Sequence, residues 1–78
     1  MTTYYLVNTF QMAISSRHRR LDTAAAAERR YRSAFRRANP GSARCCIEVM
    51  AGPSDATYSD LRPLTDDERD VYEEHRAG

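Results

Sequence analysis

Apolar and polar positions along this chain change period several times, and each change marks an element. The run Thr3-Tyr4-Tyr5-Leu6-Val7-Asn8-Thr9-Phe10 is rich in aromatic and β-branched residues and predicts a strand. The pattern can continue through Met12 to Ile14. It breaks at Ser15, Ser16 and the cluster Arg17-His18-Arg19-Arg20, which reads as a loop. Asp22 or Thr23 can cap the next element, and Ala24 to Ala27 are the strongest helix formers available. At about 100° per residue, Ala24, Ala27, Tyr31, Phe35 and Ala38 fall on one stripe. Arg29, Arg30, Arg32, Arg36 and Arg37 fall on the opposite half, and Asn39-Pro40-Gly41 stops the helix.

Alternation returns between Ala43 and Ala51, with Cys45, Ile47 and Val49 on one face and Cys46, Glu48 and Met50 on the other. Gly52-Pro53-Ser54-Asp55 is a turn, Ala56-Thr57-Tyr58-Ser59 could form a short strand, and Leu61-Arg62-Pro63-Leu64 is a connector. Thr65-Asp66-Asp67-Glu68 has the form of a capping box, with acids in the first turn where the helix dipole favours them. The helix it opens should run to about Arg76, turning Val71, Tyr72 and His75 inward and Asp66, Asp67, Asp70, Glu73 and Glu74 outward.

The predicted fold class is therefore α+β: a small two- to three-stranded sheet with two helices packed on one face, in the order β-α-β-(β)-α. If the two long strands are neighbours joined by the helix, they should be parallel with a right-handed crossover. A third strand between them would give a ferredoxin-like antiparallel arrangement instead. Seventy-eight residues leave room for one domain, 1–78, and no apolar run approaches the ~18 residues of a membrane span. The opening MTTYYLVNTF lacks the basic start of a signal peptide, so a cytoplasmic location is expected.

Composition narrows the core. Of 32 apolar residues 11 are alanine, and adjacent Cys45 and Cys46 cannot supply a disulfide framework. They read as ordinary thiols in a reducing compartment, not as a redox pair or metal ligands. A packing partner, either a second copy or a target protein, would relieve the shortage of core. All twelve cations are arginines, planar guanidiniums suited to carboxylate or phosphate.

Charge changes the picture more. Residues 1–47 carry nine arginines against Asp22 and Glu28, whereas 48–78 carry nine acids against Arg62, Arg69 and Arg76. A net charge of +1 thus hides two lobes of opposite sign, a distribution suited to electrostatic steering or to self-pairing. Catalytic chemistry is sparse by comparison. His18 and His75 are far apart in the chain, the three glycines form no phosphate loop, and no His/Cys spacing fits zinc. No metal or other cofactor is expected. His75 beside Glu74 could be an acid–base pair, but the commoner role is at a helix C-terminus.

Two charged faces remain. The arginine helix sets five guanidiniums over about 12 Å of axis and could grip phosphates. Asp66, Asp67, Asp70, Glu73 and Glu74 place five negative charges over a similar length, one per ~2.4 Å against ~1.7 Å for duplex DNA. Such a row could occupy a cationic DNA-binding groove on another protein, with Tyr4, Tyr58 or Tyr72 as desolvated anchors. The two faces could also meet across a homodimer contact.

In size, layout and polarised charge, over the whole chain and without a residue-level motif, the sequence resembles the anti-CRISPR proteins of phages and mobile elements. The resemblance implies stoichiometric binding to a subunit of a CRISPR–Cas surveillance complex, with DNA recognition blocked. The expected function is accordingly a non-enzymatic, protein-binding inhibitor whose partner is another protein, a Cas effector subunit if the resemblance holds, with no membrane involved. The alternatives are a nucleic-acid-binding accessory module using the arginine helix, or a small cofactor-free enzyme of ferredoxin-like type.

Overall fold

A computed structural model describes residues 2–41 and 45–77, the side chains of Arg76 and Ala77 excepted. Strands β1 (Thr3–Asn8) and β2 (Ala13–His18) are followed by helix α1 (Leu21–Ala38), strand β3 (Ile47–Gly52) and helix α2 (Asp66–Ala77). The sheet order is β2-β1-β3, with β1 antiparallel to both neighbours. This is a small α+β fold, as the sequence predicts, but its strand plan differs.

The run read as one long strand is a hairpin. Asn8 Oδ1 accepts from the Gln11 N–H at 3.0 Å, and Met12 takes the left-handed conformation that closes the turn, at φ 53°. Residues 15–18, expected in a loop, belong to β2, leaving only Arg19 and Arg20 outside regular structure. The extra reversal also changes the pairing. β2 descends beside β1, α1 climbs back, and β3 descends on the other side of β1, so β1 and β3 are antiparallel instead of parallel. A ferredoxin-like plan needs a further strand, and none forms at Ala56–Ser59. Tyr58–Asp60 is a 3₁₀ turn whose start is tied by Thr57 N–H to Asp60 Oδ2 at 3.0 Å. The predicted beginning of the later strand, Ala43-Arg44, lies outside the described residues.

Both helices cover one face of the sheet. Leu6, Ile47, Val49 and Ala51 point into a core closed by Ala24 and Ala25 of α1, Tyr72 of α2 and Leu64. The alternation predicted for β3 holds: Ile47 and Val49 are buried, and Glu48 is exposed. The opposite face carries Tyr5 and Val7, sealed by the segment after β3 through Ala56, Tyr58 and Leu61. Tyr5 is fully buried; its hydroxyl donates to the Pro53 carbonyl and accepts from the Ala56 N–H, fastening that segment. Gly52 sits where the chain returns closely: a Cβ there would lie 2.9 Å from Leu61 Cδ2 and 3.3 Å from Ala56 Cβ.

The packed side of α1 departs from the expected stripe. Ala24, Ala25 and Glu28 are buried, whereas Tyr31 and Ala38 are exposed and Phe35 is half-buried. Small alanines let the helix approach the sheet closely, and the two rings fall on its flank. The helix also starts earlier than Asp22 or Thr23 could cap it. Its N-cap is Arg20, without a side-chain cap bond, while Asp22 sits in the first turn paired to Arg20 at 2.9 Å. At the other end Asn39 N–H donates to the Phe35 carbonyl at 2.9 Å, and Gly41 takes positive φ, so the predicted stop is the one observed.

Candidate functional site: two charged helices and a groove

The acidic side of α2 is positioned by its first turn. The capping box forms as predicted: Thr65 N–H donates to Glu68 Oε1 at 2.9 Å, and Glu68 N–H donates to Thr65 Oγ1 at 3.2 Å. Glu68 also receives Arg62 Nη1 at 2.8 Å and the Tyr4 hydroxyl at 3.2 Å. The hydrogen bond from Arg62 leads the effects that hold its carboxyl down to about 2, against the opposing effect of burial. The Tyr4 hydroxyl moves up, through burial first and then its bond to Glu68.

With Glu68 and Tyr72 turned to the protein, Asp66, Asp67, Asp70, Glu73 and Glu74 are all exposed. Asp66, Asp67, Asp70 and Glu74 join none of the ion pairs seen among the described residues. Glu73 differs: it has a partner within the chain and borders a crevice with Glu28, Arg32 and Arg69. The expected inward set shrinks to Tyr72, since His75 is exposed and Val71 is 42% exposed amid the carboxylates. A helix docked by one edge has room for one large anchor, and Tyr72 fills it. The proposed tyrosine anchors are likewise spent inside: Tyr72 is buried, and Tyr4 and Tyr58 are half-buried against the two cores.

On α1, Arg29, Arg30, Arg36 and Arg37 are exposed as expected, with Arg29 partnered within the chain. Arg32 is not part of that face. Its Nε meets Glu28 Oε1 at 3.0 Å and its Nη2 donates to the Ile47 carbonyl at 3.1 Å. Glu28, 1% exposed, requires a cation, and Arg32 one turn later is withdrawn to supply it.

A third feature escaped the sequence reading. A groove of about 490 Å³ runs between β2 and α1. Ser16 Oγ and His18 Nε2 lie 2.7 Å apart on its strand wall, and Arg30 and Tyr31 form its helix wall. Burial, then the Arg30 charge, hold the imidazole below its ordinary range. At Tyr31 the groove meets an apolar cleft of about 610 Å³ lined by Phe10, Phe35, Cys45, Cys46 and Ile47. Phe10, at the hairpin turn, is 83% exposed. The signal for this groove was the i, i+2 spacing of Ser16 and His18, which has meaning only once residues 13–18 form a strand.

Both cysteines are free thiols, Cys45 half-buried and Cys46 exposed. Among the described residues no cluster of histidine, cysteine and carboxylate could hold a metal ion, and no helix is long and apolar enough to cross a membrane. Compared with known protein families, curated proteins and solved structures, the chain matches none.

Proposed function

We propose that this chain is a non-enzymatic binding protein, an inhibitor that engages another protein through the acidic side of α2. The observation that carries the reading is the exposed row Asp66, Asp67, Asp70 and Glu74, free of ion pairs among the described residues, on a helix fixed at its start by a capping box. Val71 within that row supplies the apolar contact that the buried tyrosines cannot. Carboxylates held in place by a folded scaffold meet arginines or lysines without having to be ordered first, and their charge speeds association. The natural target is a cationic surface that otherwise holds phosphate. The likeness to anti-CRISPR proteins gives this a concrete form: a subunit of a CRISPR–Cas surveillance complex, occupied in place of DNA.

The test is capture of host proteins on the immobilised chain, beside the same chain carrying Asp67→Arg, Asp70→Arg and Glu74→Arg. A protein that is retained by the first, lost from the second and displaced by duplex DNA supports the reading. Identical capture by both chains overturns it. A second reading, nucleic-acid binding by Arg29, Arg30, Arg36 and Arg37, is favoured by the exposure of those four side chains on α1. It requires retention of duplex DNA at low salt that falls steeply as salt is added.

A further inference from the structure

The two edges of the sheet are treated differently. Beyond β3, the chain folds back so that Ala51 and Arg62 exchange both backbone hydrogen bonds, at 2.9 and 2.8 Å. Beyond β2 no strand follows among the described residues, and the edge borders the groove against α1. An edge strand beside a helix-walled groove is the geometry that accepts an added strand: main-chain bonds supply affinity, and alternate side chains entering the groove supply specificity. We propose that the β2–α1 groove binds an extended, acidic segment of a partner protein as a fourth strand on β2. An acidic side chain of that segment faces Arg30 and His18, and a bulky apolar one packs on the exposed Tyr31 ring, where the groove meets the cleft.

Charge chooses this occupant over the others. Arg17, Arg19 and Arg20 lie at the end of β2, Arg30 stands across the groove, and the next acid along the chain, Asp22, is already paired with Arg20. Two copies joined edge to edge would bring those arginines together, the device by which natural edge strands avoid self-pairing. Nucleic acid would satisfy the arginines but leave Ala27 and Phe35 facing a charged backbone and make no use of the strand edge. A peptide with carboxylates and one large apolar side chain uses all three features. No residue of α2 lines either cavity, so this inference and the acidic-side reading stand or fall separately.

The probe is a short peptide in which glutamates alternate with valines around one phenylalanine, titrated to millimolar concentration into the isotopically labelled chain. The expected result is shifted amide resonances and slowed hydrogen exchange in Ala13–His18, with shifts at Arg30 and Tyr31. Affinity should fall at least about tenfold with Arg30→Glu, a loss consistent with removing a charged hydrogen-bonding partner. Methylating alternate backbone nitrogens of the peptide leaves the protein untouched and should abolish the exchange protection. The proposal is overturned if millimolar peptide leaves β2 unperturbed, or if the methylated or lysine-substituted peptide binds equally well. It is also overturned if duplex DNA shifts the same resonances while the peptide does not, or if sedimentation shows a dimer sealed through β2.

Discussion

Each helix turns a glutamate toward the protein, Glu28 fully buried and Glu68 half-buried, and the two are balanced differently. In α1, Glu28 is balanced from within, by Arg32 one turn later. In α2, Glu68 is balanced from outside: Arg62 reaches it from the connector and Tyr4 from β1. The first arrangement also reaches the sheet, through the bond from Arg32 to the Ile47 carbonyl. α1 stays on the sheet through its packed alanines. The second joins a strand, a connector and a helix start, so a thinly packed helix is clamped by polar contacts. Charge written in a sequence is therefore not the charge a protein displays. Arg32 leaves the basic face to serve Glu28, while Glu68 absorbs Arg62 and leaves the acidic row beside it unneutralised.

The contrast breaks most forcefully at Arg32. Arg32→Ala removes an ion-pairing, hydrogen-bonding partner of a buried carboxylate and should cost about 1.5–3 kcal/mol, a sizeable part of the ~5–15 kcal/mol that holds a typical domain together. Replacing both partners, Glu28→Leu with Arg32→Leu, should restore most of that loss, because the buried charge disappears along with its partner. Denaturant unfolding of the three chains measures this. A single substitution costing no more than an ordinary surface change would show that Arg32 is not what balances Glu28.

Next in size is the clamp on α2, and it is sensitive to pH. The Glu68 carboxyl sits at about 2 in the folded chain against 4.5 ordinarily. Its depressed value stabilises the fold fully above about pH 5, and that contribution drains away as pH falls from about 4.5 toward 2. The loss should be roughly 2 kcal/mol, discounted for the partial exposure of the pair. Glu68→Gln should start lower in melting temperature and show a flatter acid limb. Equal acid limbs in both chains would remove Glu68 from the clamp.

Some of this was legible beforehand. Thr65 and Glu68 stand at a spacing whose chemistry is local, so the capping box and the outward turn of the acidic row could be read directly. The hairpin could not. Its turn, Thr9-Phe10-Gln11-Met12, lacks the Asn-Gly or Asp-Gly that marks such a turn, and the left-handed position falls to Met12. Once β2 was missed, the open edge and the pairing of Ser16 with His18 went with it. The orientation of α1 was hidden for a different reason. Periodicity favours the stripe with the largest apolar side chains, while packing against sheet and second helix favoured the one with the smallest, even with a glutamate in it. Thr65→Ala tests the local case: about 1 kcal/mol should be lost, read as a lower midpoint in denaturant.

The smallest expected effect bears most closely on function. Within the acidic row, Asp66 and Asp67 lie in the first turn of α2, where the helix dipole stabilises them. Asp70 and Glu74 have no such benefit, and Asp70 stands one turn from both Asp66 and Glu74 in like-charge i, i+4 pairs. Neutralising them with Asp70→Asn and Glu74→Gln should raise stability by a few tenths of a kcal/mol, or about 1–3 °C in melting temperature. The gain should shrink in high salt, which already screens the repulsion. Asp66→Asn should instead lower stability slightly. If the row serves a cationic partner, all three changes weaken binding while their effects on stability have opposite signs. Carboxylates that cost stability where they stand, and whose removal costs binding, are retained for the partner. If binding followed stability in each variant, the row would be no more than a solvated helix face.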